Sequence, residues 1–175
     1  MKWKIVLIGL MGFALAFSWS FTNGPISNEE DKIGKGDQVP NITMATLDGA
    51  PVNIKSMKGK VVLVYFWASW CKPCRKDIPK YTKLYKKYKN ASFKIGEEGF
   101  TIYSISLDKN KETWKRASRQ HKIPWEANVG DLKGWQSKAV KKFGIGSIPR
   151  SFLVNGNGMV EAVDVKDQLA RILEN

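Results

Sequence analysis

Cysteine and histidine are nearly absent from this 175-residue chain. It carries two cysteines, Cys71 and Cys74, and one histidine, His121. Two cysteines cannot staple a disulfide scaffold, so an apolar core must hold the fold. A structural zinc site needs about four ligands, and these three side chains fall short. Neither a metal nor another cofactor is expected. Internal repeats and low-complexity tracts are also missing. Acidic residues are few, 16 against 29 Lys and Arg, which gives a formal net charge of +13. No nucleic-acid recognition motif accompanies that charge, so nucleic acid is not an expected partner. Much of it reads as a solvated helix face. Lys80, Lys83, Lys86, Lys87 and Lys89 fall largely opposite Ile78, Tyr81, Leu84, Tyr85 and Tyr88.

Charge is also missing from Ile5 to Phe21, which follows the cationic Met1-Lys-Trp-Lys4. Residues 1–22 therefore read as a signal peptide or an N-terminal membrane anchor. Ala14-Leu-Ala16 and Ser18-Trp-Ser20 resemble cleavage sites, while about 17 uncharged residues sit at the lower limit for a spanning helix. Either outcome leaves the positive flank inside and the rest of the chain outside the cytoplasm. The expected location is the periplasm, free after cleavage or attached to the inner membrane through residues 5–21. Residues 23–36 are polar and glycine-containing, a linker. Residues 37–175 form one domain, expected to be a monomer.

Within that domain, apolar periodicity and turn residues set the elements. Ile42–Met44 and Val52–Ile54 flank Asp48-Gly49, a hairpin signal. Val61–Trp67 is apolar at successive positions, as in a strand covered on both faces. A helix runs from about Lys72 to Tyr88, with Pro79 expected to kink it. Phe100–Leu107 is a second strand, Asn110–His121 a helix with Trp114 and Ala117 inward, and Trp135–Phe143 a helix stopped by Gly144. Strands Ser151–Val154 and Met159–Val165 join through Asn155-Gly-Asn-Gly158. A short helix, Asp167–Leu173, ends the chain. Strand–helix–strand, then helix, hairpin and helix, predicts an α/β fold: a central mixed sheet flanked by helices. The right-handed crossover makes its first two long strands parallel.

Cys71 and Cys74 stand where strand 61–67 hands over to helix 72–88, inside Trp67-Ala-Ser-Trp-Cys-Lys-Pro-Cys-Arg75. A Cys-x-x-Cys at such a junction reads as a thioredoxin-like redox motif. Only a thiolate attacks a disulfide. A helix N-terminus favours that anion through its unpaired N–H groups and dipole, lowering a free thiol pKa of about 8.5 to about 7 or below. Pro73 fits the first turn, where its missing N–H would lack a partner anyway. Cys74 lies one turn along the same face, within reach for ring closure. Cys71 is the expected attacking thiol and Cys74 the resolving thiol. Lys72, between them, tunes the redox potential.

Three stretches carry a family resemblance: Gly59–Pro79, Gly144-Ile-Gly-Ser-Ile-Pro149 and Phe152–Gly158. The chain resembles the extracytoplasmic thioredoxin-like reductases of the TlpA/ResA type, in the redoxin branch. The resemblance implies a thioredoxin-like fold with an N-terminal β-hairpin extension. It implies that Ile148-Pro149 is a cis peptide beside the disulfide, with Ile148 offering its backbone to an extended substrate strand. On its own residues, without the resemblance, Pro149 reads as an ordinary trans proline starting a strand. The resemblance also makes Trp70 a hydrophobic lip for substrate. Thioredoxins proper carry a buried Asp six residues before the first cysteine; here that residue is Tyr65. Asp77, three residues after Cys74, matches an acidic position of the reductase branch and is the candidate proton acceptor, unless it is a surface carboxylate paired with a lysine. Arg150 stands where the family has a small or β-branched residue, and is expected to add positive potential near Cys71, unless it points to solvent. Trp67 reads as core and His121 as structural.

The expected function is thus an exported thiol-disulfide oxidoreductase that reduces disulfides in partner proteins. As a reductase it would take electrons from a membrane donor, and cytochrome c maturation is the family's best-known role. One alternative is a peroxiredoxin-like peroxidase, but Tyr65-Phe-Trp-Ala-Ser-Trp70 does not match the Pro-x-x-x-Thr-x-x-Cys setting that chemistry requires. Another is a non-enzymatic haem or copper chaperone using the dithiol as a soft ligand; copper-delivery relatives use a wider cysteine spacing plus a distal His, which the spacing here does not fit.

Overall fold

The computed structural model describes residues 32–93 and 97–174. The signal or anchor and most of the linker lie outside the described residues. Among the described residues no helix is long and apolar enough to cross a membrane. Seven strands form one sheet: β1 (Thr43–Thr46), β2 (Pro51–Asn53), β3 (Val61–Trp67), β4 (Phe100–Ser106), β5 (Asn128–Gly130), β6 (Arg150–Val154) and β7 (Val160–Val163). Their order is β2-β1-β5-β4-β3-β6-β7. Among the described residues four α-helices accompany them: α1 (Lys72–Tyr88), α2 (Lys111–Gln120), α3 (Lys138–Phe143) and α4 (Leu169–Glu174).

β3 is central and buried along its whole length. β4 pairs with it in parallel and β6 antiparallel, so the sheet is mixed. The N-terminal hairpin β1–β2 turns at Gly49, whose φ of +89° favours glycine. It extends the sheet by docking β1 antiparallel on β5. Packing begins inside the predicted linker, since Ile33 lies against the core. Residues 36–39 then run beside the start of β7. Gly36 N–H donates to Val160 C=O at 2.8 Å, and Val160 N–H to Asp37 C=O at 2.9 Å.

β5 is the one strand without a sequence expectation. A buried polar network fixes it. Asn128 Oδ1 accepts from Ser104 Oγ at 3.0 Å and from Trp114 Nε1 at 3.3 Å, while its Nδ2 donates to Ser118 Oγ at 2.9 Å. Trp125 Nε1 donates to Ser104 Oγ at 2.7 Å. Two indoles, an amide and two hydroxyls thus satisfy one another out of water. The expected helix 135–143 is shorter. Gly134–Gln136 form a single 3-10 turn, and α3 starts after Ser137, whose side chain accepts Ala139 N–H at 3.2 Å. Gly144, at φ +60°, stops it. α1 runs on through the exposed Pro79, and its buried face is Cys74, Asp77, Ile78, Tyr81, Leu84 and Tyr88.

Candidate active site

The dithiol stands at the carboxyl end of β3, the edge where ligands meet open α/β sheets. Cys71 is the N-cap of α1, with extended backbone at φ −81° and ψ 97°, and Cys74 completes the first turn. The two sulfurs form a disulfide, with Cα atoms 5.3 Å apart. Cys71 Sγ accepts the N–H of Cys74 at 3.2 Å. That donor would serve a thiolate on Cys71 in the same way, adding to the helix dipole. Cys71 keeps 5% of its surface open and Cys74 none. Of the two cysteines, Cys71 is the one with surface open to a partner.

Two carboxylates frame this junction from opposite sides. Asp108, at the end of β4 and buried, takes Ser69 N–H at 3.0 Å and Ser106 Oγ at 2.8 Å on Oδ2. Its Oδ1 takes Ser69 Oγ at 2.5 Å. Together with the Cys71 N–H to Ala68 C=O bond at 3.1 Å, these bonds hold the turn that presents Cys71. Asp77, behind Cys74 on α1, is only 2% exposed, so it is no surface carboxylate. It does pair with a lysine: Lys166 Nζ lies 2.8 Å from Oδ1. That contact raises the Lys166 pKa through the hydrogen bond and the charge of Asp77. Asp77 Oδ2 meets no protein donor.

Asp77 lines a cavity of about 190 Å³ that also touches Tyr65, Tyr81, Pro149, Arg150 and Lys166. Tyr65 donates its hydroxyl to Cys74 C=O at 3.0 Å and meets the Tyr81 ring edge-on at 4.9 Å. Burial above all, then Tyr81 and Asp77 beside it, pushes the Tyr65 phenol far above its usual range. Tyr65 therefore stays a hydrogen-bond donor and cannot take the resolving thiol's proton. Asp77 is the carboxylate on that side of the disulfide.

Ile148-Pro149 is cis and opens β6, whose Arg150 is the register partner of Phe66. Arg150 does not stand free to serve Cys71. Its Nη1 donates to Asp164 Oδ2 at 2.7 Å, and its guanidinium lies over the Phe152 ring at 5.9 Å. This partner at the end of β7 was not foreseen from the sequence. Trp70, by contrast, is 56% exposed beside Cys71, and Trp67 is wholly buried. Lys72 and Pro73 are exposed on the first turn of α1. His121 caps α2 and donates its backbone N–H to Ala117 C=O at 3.0 Å. No group of three or more His, Cys, Asp or Glu among the described residues could hold a metal ion.

Sequence reasoning missed Asp108 and Lys166. For Asp108 a signal existed: a carboxylate directly after an apolar strand lies on the strand-end edge where sites form. Lys166 carries no such mark, since its partner is set by how β7 returns against α1.

The comparisons agree with this geometry. The AhpC/TSA family model matches residues 35–163. Thiol-disulfide oxidoreductase ResA of Bacillus thuringiensis subsp. konkukian is 30% identical over 174 residues, covering 97% of this chain and 90% of the relative. Thioredoxin-like protein YneN of Bacillus subtilis is 27% identical, covering 99% and 95%. Among solved structures, the thioredoxin domain of a thiol-disulfide oxidoreductase from Bacteroides vulgatus superposes with a TM-score of 0.70 at 30% identity, over 81% of this chain and 99% of that one. A thiol:disulfide interchange protein from Bacteroides sp. gives 0.69 at 29% identity, over 82% and 92%.

Proposed function

Because the chain belongs to the AhpC/TSA family and is a thiol-disulfide oxidoreductase of the ResA kind, we propose that it works outside the cytoplasm as a reductase of disulfides in partner proteins. The observation that carries this reading is the unequal exposure of the two cysteines at the start of α1. Cys71 thiolate attacks a partner disulfide, forming a mixed disulfide and releasing the partner's other sulfur as a thiolate. Cys74 then loses its proton and attacks Cys71 Sγ. The Cys71–Cys74 bond forms, the mixed disulfide breaks, and the partner leaves as a dithiol with two electrons gained. Asp77 accepts the Cys74 proton, directly or through the cavity, with Lys166 holding it in place. Trp70 and the Ile148 backbone bear on the incoming strand, and Lys72 and Pro73 tune the first turn.

The uncharged stretch from Ile5 to Phe21 supports export. Continued reduction there requires a membrane electron donor, and cytochrome c maturation is one setting that would use it. Insulin reduction and trapping test the reading together. Reduced wild-type protein should precipitate insulin chains, and Cys74→Ser should accumulate a mixed disulfide through Cys71. A Cys74→Ser protein that traps no partner, beside a Cys71→Ser protein that does, would reverse the roles.

A further inference from the structure

Three chain segments emerge side by side at the carboxyl ends of β3, β4 and β5. Trp67, Ser106 and Gly130 are register partners across these parallel strands. The segments after them are stitched together. Ser69 is bound by Asp108, as described above. The next residue, Lys109, lies over Gly134, so close that a Cβ there would come within 2.9 Å of Lys109 Cε. Glycine is required at 134 for that approach and for its φ of +55°.

This rim gathers three of the four large hydrophobic side chains exposed among the described residues: Trp70 at 56%, Trp135 at 42% and Leu132 at 39%. The fourth, Ile172, is on α4. Leu132 is the more telling. Its φ of +58° is the left-handed region, which Gly and Asn occupy and Leu avoids. The loop accepts that strain to present an apolar side chain to solvent, so burial does not explain it.

The fully exposed charges on the rim are positive, and the half-buried Asp131 is the acid among them. Lys72, Lys109 and Lys133 are exposed, and none has an ion-pair partner among the described residues. The nearby acids are occupied. Asp108 is buried beneath Ser69 and Ser106. Asp131 takes Ser137 Oγ at 2.9 Å and Lys133 N–H at 3.1 Å.

We propose that residues 131–136 form a second docking wall for the partner protein, on the side of the dithiol away from Pro149. It fits an extended segment with a large apolar side chain and an acidic residue beside it. β3 and β5 are two strand spacings apart, about 10 Å, and an extended chain rises about 3.3 Å per residue. The apolar side chain thus falls about three residues from the partner cysteine. This inference rests on the oxidoreductase reading and adds its selectivity.

The test uses synthetic peptides whose single cysteine is a mixed disulfide with glutathione. One pair carries Phe-Asp three residues before or after the cysteine, the other Ser-Lys. DTT-reduced, desalted protein supplies the two electrons. Cys71 bonds the peptide sulfur and glutathione thiolate leaves; Cys74 then displaces the peptide thiol. The rate of glutathione release is measured at two salt concentrations. Wild type should prefer the better Phe-Asp peptide by about tenfold or more, as expected for a desolvated apolar contact. High salt should shrink that preference. Trp135→Ser and Leu132→Gly should each cut it several-fold, with rates on the small disulfide DTNB unchanged. Leu132→Gly should also be no less stable, since glycine relieves the strained φ. Equal wild-type rates on both peptides, or a preference surviving in both variants, would overturn the docking wall. Loss of DTNB reduction by wild type would instead sink the oxidoreductase reading.

Discussion

Asp108→Ala removes one carboxylate and exposes how much of the site depends on it. Three donors end on that group: Ser69 N–H, Ser69 Oγ and Ser106 Oγ. Hydrogen bonds to a charged group contribute about 1.5–3 kcal/mol each. Three on one carboxylate do not add, and Ser69 is half-buried, so water can recover part of the loss. The expected destabilisation is about 3–4 kcal/mol. Asp108→Asn is the informative companion. Its amide oxygen can sit where Oδ2 now takes two donors, leaving the NH₂ facing Ser69 Oγ. That hydroxyl can turn and accept. Every position stays filled and only the charge assistance is lost, about 1–2 kcal/mol. At about 4 °C per kcal/mol for a domain of this size, the shifts in Tm are about 12–16 °C for Ala and about 4–8 °C for Asn. Thermal unfolding of the oxidised protein measures both. Insulin reduction at a temperature where both variants are folded should be slowed more by Ala, because the turn that carries Cys71 loses its anchor. Equal Tm values for the two variants, or two proteins within about 0.5 kcal/mol of wild type, would refute the account.

Asp77→Asn should slow insulin reduction more than it lowers Tm, and should change the shape of the pH–rate profile; an unchanged profile would leave Asp77 as a partner for Lys166 alone. Arg150→Thr breaks a partly exposed ion pair with Asp164 and should cost about 1 kcal/mol or less, with the thiolate absorbance of Cys71 titrating as in wild type; a clear upward shift in that titration would show that the guanidinium reaches the sulfur. Burial, then repulsion from Arg75, holds the His121 pKa below its ordinary value of 6.5. The unfolded chain therefore binds the proton more readily, and stability falls as pH drops from about 6.5 towards the folded pKa. His121→Gln should show a smaller loss of urea midpoint between pH 7 and pH 5, and an equal loss would place the acid sensitivity elsewhere.

The legible parts of this protein were those written in local patterns. The apolar run Val61–Trp67, the helix signal after Cys71 and the Asn155–Gly158 turn each state their element within a few residues. β3, α1 and the β6–β7 hairpin follow them. β5 was hidden because it is three residues long and begins with Asn128, a residue that disfavours strands. What makes it a strand is distant: Ser104, Trp114 and Ser118 satisfy that amide inside the core. Trp135 misled in the opposite sense, since it read as the start of a helix, yet it stands exposed in the 3-10 turn ahead of α3. The dithiol could be read from spacing because its chemistry is local. The partners of Asp77 and Arg150 could not, since Lys166 and Asp164 reach them only through the return of β7.

The two margins of the sheet discourage another strand. β2, at one margin, is three residues long and opens with Pro51, which has no N–H to offer. At the other, residues 36–39 already occupy the start of β7, and the β6–β7 register slips between Leu153 and Val154. Among the described residues both margins are poor templates for backbone pairing, which disfavours edge-to-edge fibrils and capture of a client by strand addition. The open approach to the dithiol is end-on, across the tips of the parallel strands. A client's backbone then crosses the sheet axis rather than lengthening the sheet, and the loops at those tips decide which clients are received.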